Sequence, residues 1–168
     1  MVDWSLVARK KWLFLGDSNL ARLPTFSILD LQIESYPGAN FHHAEAVLAK
    51  SVTYTVVEKV LLSFGLNCRQ QKAKETAIKQ LQGAFRMTKK QFPHAEIWVP
   101  LINYSACLPH EEQVTIRKIN EHIKQHLPYI AALRSSDFQT EKDHIHWTKK
   151  TASTMLDHWI AYLNLISP

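Results

Sequence analysis

The sequence predicts a three-layer α/β/α sandwich built around a central, mainly parallel sheet of about five strands. Short apolar runs, typical of buried strands, alternate along the chain with longer segments of helical periodicity. Strands separated by helices favour a parallel sheet that is covered on both faces. The chain has 168 residues, of which 46% are hydrophobic and 21% charged, and neither a repeat nor a linker interrupts it. We therefore expect one globular domain over residues 1–168.

The strand predictions rest on short apolar or β-branched runs. The first run, which starts at Trp12, is wholly apolar and ends at Gly16, so it predicts a fully buried strand. The third is rich in valine and leucine, which favour strands. The predicted strands are residues 12–15, 31–36, 57–64, 96–100 and 130–133.

The helix predictions rest on apolar residues three and four positions apart and on boundary residues. Asn40 is a favourable N-cap for the first helix, and Pro93 ends the second. Pro109 is suited to the start of the third, and the fourth follows Thr148. The predicted helices are residues 40–49, residues 70–91, a segment that opens at Pro109, and residues 148–165.

The chain carries a formal charge of +5, which favours anionic partners such as nucleic acid or acidic lipid headgroups. A solvated, lysine-rich surface explains the same charge. On the polar face of the second helix, cations recur at a spacing that predicts one basic stripe beside the edge of the sheet where the strands end. An anionic membrane surface is therefore a candidate partner. The residues of this basic stripe are Lys72, Lys79, Arg86 and Lys90.

The two cysteines, Cys68 and Cys107, lie far apart and form neither a metal motif nor a redox motif. No apolar run is long enough to span a bilayer, and the N-terminal residues lack the pattern of a signal peptide. We therefore expect free thiols and a cytoplasmic location.

The adjacent His42 and His43 lack the helical spacing of zinc-binding motifs, so we expect no metal and no cofactor.

A nucleophile is suggested by the sequence Gly16-Asp17-Ser18, which directly follows the first predicted strand. Open α/β sheets place their chemistry at the carboxyl ends of their strands, which is where Ser18 is expected. A serine hydroxyl needs a base to take its proton. Three residues alone are a weak motif, and we interpret Asp17 as a turn residue rather than a catalytic acid.

The candidate base is His146, in the sequence Asp143-His144-Ile145-His146-Trp147. A tight loop would place the Asp143 carboxylate on one imidazole nitrogen, where it would fix the tautomer and stabilise the imidazolium. The same segment is also compatible with a helix lead-in that Asp143 caps. The neighbouring His144 is a competing candidate, but the three-residue spacing from Asp143 favours His146.

Two further residues, Gly38 and Asn67, complete a recognisable order along the chain. Serine, glycine, asparagine and histidine in this order resemble the SGNH (GDSL-type) hydrolase family. The resemblance implies a catalytic triad of Ser18, His146 and Asp143. It also implies an oxyanion hole made by the backbone N–H groups of Ser18 and Gly38 and the side-chain amide of Asn67. Taken alone, Gly38 fits an ordinary turn and Asn67 a helix cap.

The residues around these four motifs are also similar to the esterase domain in the first open reading frame protein of vertebrate non-LTR retrotransposons. The segments that carry this resemblance are residues 16–24, 35–39, 62–67 and 143–148. That resemblance implies hydrolysis of short acyl esters, contact with lipid, and nucleic-acid binding by segments outside this chain. We therefore predict a serine esterase acting on acetyl-type esters. Two alternatives stay open: a carbohydrate O-acetylesterase, and a module that binds lipid or nucleic acid with weak or vestigial catalysis.

Overall fold

The computed structural model describes residues 3–165 and confirms the predicted fold class. A central sheet of five parallel strands is flanked by helices on both faces. The strands are β1 (Val7–Ala8), β2 (Trp12–Gly16), β3 (Leu31–Ser35), β4 (Val52–Thr53), β5 (Lys59–Ser63), β6 (Glu96–Pro100) and β7 (Tyr129–Ile130). The α-helices are α1 (Phe41–Ala49), α2 (Lys74–Gln91), α3 (His110–His126) and α4 (Lys149–Leu163).

The central sheet has the strand order β3-β2-β5-β6-β7, and all of its pairings are parallel. The chain leaves β2 for β3 on one side and later leaves β5 for β6 on the other. The order therefore reverses between β2 and β5, which is the topological switch point of the sheet. In open α/β sheets, ligands bind beyond the carboxyl ends of the strands at such a point. The segments that follow β2 and β5 are thus expected to flank a site.

Alternation of side chains along the strands builds two separate cores. In β2, Leu13 and Leu15 face the layer formed by α1, α2 and α3, whereas Trp12 and Phe14 face α4. Successive residues of a strand point to opposite faces, so a wholly apolar strand must be covered on both sides. Trp159 of α4 is 1% exposed, and its ring packs edge-on against Phe14 with 5.6 Å between ring centroids. The two cores fix the sheet between its helical layers.

Three helices begin where the sequence predicts: α3 directly follows Pro109, and α1 and α4 begin at side-chain caps. Asn40 caps α1, and its side chain accepts a hydrogen bond from the backbone N–H of His43. Thr148 caps α4 by accepting from the N–H of Thr151, so the lead-in role considered for Asp143 is filled by Thr148. The second helix was predicted from residue 70 but begins at Lys74, because residues 65–68 form a short 3₁₀ helix and Ala73 is extended.

The last strand of the sheet is displaced and shorter than predicted. Residues 130–133 were expected, but β7 spans only Tyr129–Ile130. Beyond it, the backbone of Leu133 exchanges two hydrogen bonds with the Asn103 side chain, at 2.9 Å each, instead of continuing the ladder. A two-stranded parallel sheet of β1 and β4 was not predicted, because two residues per strand give too little pattern to detect.

The basic stripe is exposed but does not lie wholly beside the edge that carries the candidate site, which corrects that prediction. Helix α2 joins two parallel strands, so it returns from their carboxyl ends to the amino end of β6. Its 18 residues cover about 27 Å. Lys72 therefore lies near the carboxyl edge of the sheet, and Lys90 near the opposite edge. Within residues 3–165, no helix has both the length and the apolar composition needed to cross a membrane.

Candidate active site

Ser18 occupies the turn at the carboxyl end of β2. It is the first residue of a 3₁₀ helix, Ser18–Arg22, and the preceding Asp17 caps that helix by accepting a 2.9 Å hydrogen bond from the N–H of Asn19. The turn passes so close to β5 that a Cβ atom on Gly16 would lie 2.7 Å from the backbone oxygen of Ser63. A glycine is therefore required where the chain leaves the strand, and this turn leaves the Ser18 side chain half-exposed.

His146 and Asp143 lie on one loop ahead of α4, and the Asp143 carboxylate organises that loop. One carboxylate oxygen accepts the backbone N–H groups of Ile145 at 2.9 Å and of His146 at 3.0 Å. The other lies 2.5 Å from Nδ1 of His146. These hydrogen bonds, the one from the His146 ring foremost, hold the pKa of Asp143 well below its usual range. Asp143 is therefore ionised, and its carboxylate can only accept hydrogen bonds.

The structure brings His146 against Ser18 across 128 positions of sequence. Nε2 of His146 lies 3.1 Å from Oγ of Ser18. Because the Asp143 carboxylate accepts at Nδ1, the neutral ring carries its proton there and leaves Nε2 as a hydrogen-bond acceptor. The Ser18 hydroxyl then donates to Nε2. His144 is exposed and adopts the left-handed backbone region at φ 62°. None of the described hydrogen bonds joins it to Ser18.

Gly38 and Asn67 lie on two turns that the Asn67 side chain joins. Gly38 has φ 79°, a conformation that favours glycine, and it lies on an exposed turn. Asn67 lies inside the 3₁₀ helix that follows β5, rather than at a helix cap. Its amide nitrogen donates to the backbone oxygen of Ala39 at 2.9 Å, and Arg69 donates to its amide oxygen at 3.3 Å. The amide carries two N–H groups, so one stays available to a ligand among the described contacts.

Asp17 is a buried carboxyl group beside the candidate nucleophile. It is 4% exposed, and burial raises its pKa to about 6, although the N–H of Asn19, the imidazolium of His146 when that ring is protonated, and the charge of Arg69 oppose this. Its backbone oxygen accepts a 2.8 Å hydrogen bond from the Ser35 hydroxyl. The prediction of a turn residue agrees with these contacts, since the carboxylate caps the Ser18 helix and the backbone ties it to β3.

Sequence analysis missed three side chains that support this arrangement. Asn19 bonds the backbone on both sides of His146. Arg22 donates to the backbone oxygen of Trp147 at 3.1 Å and lies 3.5 Å from the Glu141 carboxylate. Arg69, besides its bond to Asn67, pairs with Glu112 at 3.1 Å. Except for Asn67, which is two residues from Arg69, these partners lie far away in sequence, so no local spacing indicates the roles of Asn19 and Arg22.

Comparisons with solved structures agree with the fold just described. A carbohydrate esterase family 3 protein from Talaromyces cellulolyticus aligns with a TM-score of 0.65 and 15% identity, over 95% of this chain and 100% of its own. A GDSL-like lipase from Bacteroides thetaiotaomicron aligns with a TM-score of 0.64 and 11% identity, over 93% and 87%. A mutant acetyl esterase with an acetate ion aligns with a TM-score of 0.64 and 14% identity, over 92% of this chain and 100% of its own.

The chain therefore has the three-layer fold of GDSL-like lipases and carbohydrate esterases. Scans against protein-family models and against curated proteins find no match. At such low sequence identities the similarity concerns the fold alone. Within residues 3–165, no group of three histidine, cysteine, aspartate or glutamate side chains is arranged to hold a metal ion.

Proposed function

We propose that this protein is a serine esterase of the SGNH class that hydrolyses short-chain acyl esters. One observation carries the proposal: a continuous hydrogen-bonded chain runs from Ser18 through His146 to Asp143, with distances of 3.1 Å and 2.5 Å. A nucleophile, a base and a group that orients the base are thus in contact in the order that acyl transfer needs. These three hydrogen-bonded residues lie at the topological switch point of a fold that known esterases share.

In the proposed reaction, Oγ of Ser18 attacks the ester carbonyl while Nε2 of His146 takes the hydroxyl proton. Asp143 stabilises the imidazolium that forms. Collapse of the tetrahedral intermediate breaks the ester C–O bond, and His146 returns the proton to the leaving alcohol. A water molecule then attacks the acyl-serine with His146 again as base, which releases the acid and restores Ser18. None of these steps consumes a cofactor.

The developing oxyanion would be held by the backbone N–H groups of Ser18 and Gly38 and by the free amide N–H of Asn67. Two contacts support this role for Asn67. Arg69 holds the amide oxygen, and Ala39 holds one of the two N–H groups, so the orientation of the amide is fixed before substrate binds. Donors that are already oriented pay no reorganisation cost when the charge forms.

The preference for short acyl groups rests on resemblance and on the structural neighbours, which include an acetyl esterase with bound acetate and a carbohydrate esterase. A carbohydrate O-acetylesterase is therefore the second candidate. The similarity of the site motifs to retrotransposon-encoded esterase domains supports the narrower proposal that this chain comes from such a protein. In that setting lipid would be the substrate or the bound surface, and nucleic-acid binding would belong to segments outside the chain.

The test is hydrolysis of nitrophenyl esters graded by acyl length, together with an acetylated oligosaccharide, by the wild type and by Ser18→Ala. We expect turnover that is highest for acetyl or other short chains and that is lost in Ser18→Ala while the unfolding transition is kept. Faster turnover of the acetylated sugar would favour the second candidate. Absence of Ser18-dependent turnover on every ester would contradict the esterase proposal and favour a binding module.

A further inference from the structure

Asn19 is a fully buried amide, 1% exposed, that follows the candidate nucleophile in sequence but contacts the loop of the candidate base. Its Nδ2 donates to the backbone oxygen of Ile145 at 3.2 Å, and its Oδ1 accepts from the backbone N–H of Trp147 at 2.9 Å. The two bonded residues lie immediately before and after His146. The side chain of Asn19 therefore grips the backbone of the base from both sides.

Besides Asn19, the loop around His146 is restrained by the Asp143 carboxylate, by the Glu141 N–H, which donates to the His146 oxygen at 2.7 Å, and by Arg22, which donates to the Trp147 oxygen. Asp143 and His144 are exposed, and the loop contains neither a helix nor a strand of the sheet. Asn19 is itself held firmly, because its backbone N–H donates to the buried carboxyl of Asp17 at 2.9 Å. The turn that carries Ser18 thus also restrains the backbone on both sides of His146.

We propose that Asn19 is a positioning residue whose amide sets the contact between Ser18 and His146. The inference rests on the proposed esterase function, since it assigns Asn19 a role in the same reaction. The described hydrogen bonds of the Asn19 side chain go to the backbone of Ile145 and Trp147 and not to the Ser18 hydroxyl or the His146 ring, so we expect its effect to pass through the position of His146. Misplacement of a catalytic group by about 1 Å costs roughly 100-fold in rate. We therefore expect Asn19→Ala to lower kcat by about that factor and to leave KM nearly unchanged.

An asparagine that bridges two segments could also serve stability alone, and the half-buried Asn120 is a comparable example. Asn120 of α3 accepts from the N–H of Ile102 at 2.8 Å and donates to its backbone oxygen at 3.0 Å. It makes the same pair of bonds to a loop but has no contact with His146. Asn120→Ala is therefore the control, expected to lower the free energy of unfolding while kcat stays within a few-fold of the wild type.

The decisive experiment is a double-mutant cycle on Asn19→Ala and His146→Ala, read as the rate of fluorophosphonate labelling of the full chain. If Asn19 acts through His146, its substitution slows labelling roughly 100-fold in the wild-type background and has little effect once His146 is absent. Equal factors in both backgrounds would overturn the proposal. So would a loss of kcat in Asn19→Ala no larger than that in Asn120→Ala.

Asn19→Asp keeps the experiment decisive if Asn19→Ala does not fold. The aspartate has the same size and can still accept from the N–H of Trp147, but it can no longer donate to Ile145. It should slow labelling when His146 is present and not when His146 is absent. Failure of the esterase proposal itself would look different, because the wild type would then show no labelling that depends on Ser18.

Discussion

Asp143 holds both the backbone and the ring of His146. One oxygen of its carboxylate accepts the His146 N–H at 3.0 Å, and the other lies 2.5 Å from Nδ1 of the same residue. A three-residue separation allows this only in a tight loop, and the extra bond to the Ile145 N–H closes that loop. The position of the ring and its tautomer are therefore set by one carboxylate, and the Asn19 amide adds a second restraint.

Of the two neighbouring histidines, only His146 should matter for turnover. We expect His146→Ala to lower kcat by about 10²–10⁴, the usual contribution of a general base. His144→Ala should change kcat only a few-fold, because its side chain is exposed and lies outside the Ser18 contact. Steady-state kinetics of both variants on one ester make the comparison. A larger loss in His144→Ala would mean that the base has been assigned to the wrong residue.

Asn67 should contribute through its donor and not through its bulk. Asn67→Ala is expected to lower kcat by about 10²–10³, the effect of losing one oxyanion donor. Asn67→Asp retains the size and an acceptor for Arg69 but has no N–H, so it should be at least as slow. Chemical unfolding of both variants shows whether the fold is kept. Wild-type kcat in either variant would remove Asn67 from the oxyanion hole.

The buried Asp17 carboxyl should make stability depend on pH. Its pKa is raised from 3.8 to about 6, so between these values the folded chain holds a proton that the unfolded chain has lost. Stability is therefore lost as pH rises through this window, by about 3 kcal/mol in total. Asp17→Asn lacks this titration. Its free energy of unfolding relative to wild type should rise by about that amount from pH 4 to pH 7, whereas a pH-independent difference would contradict the account.

The sequence predicts the fold well where the pattern is local. The apolar run of β2 and the Asn40 cap come from neighbouring residues, whereas the order of the four motifs comes from the family resemblance. Features that depend on partners distant in sequence escape it. The end of β7 is set by the hydrogen bonds of Asn103 to Leu133, and the position of the basic stripe is set by the direction of α2. The backbone around His146 is restrained by the Asn19 side chain. None of these three has a spacing that predicts it.

The basic stripe gives a separate prediction about membranes, which concerns binding and not catalysis. The double substitution Lys79→Gln with Arg86→Gln should lower the affinity for acidic liposomes, measured by sedimentation, roughly 30-fold, at about 1 kcal/mol per charge. Lys149→Gln with Lys150→Gln is the matched control, since both lysines are exposed on α4, across the sheet. Binding should fall steeply as salt screens charges beyond about 10 Å. Equal, salt-insensitive binding to neutral and acidic liposomes would rule the prediction out.

The central claim is that Ser18 is a nucleophile activated by His146, and covalent labelling tests it most directly. The wild-type chain is treated with a fluorophosphonate, digested, and its peptides are analysed by mass spectrometry to locate the adduct. We predict one adduct on Ser18, no adduct in Ser18→Ala, and much slower labelling in His146→Ala. An adduct on another residue, or unchanged labelling after Ser18→Ala, would contradict the account.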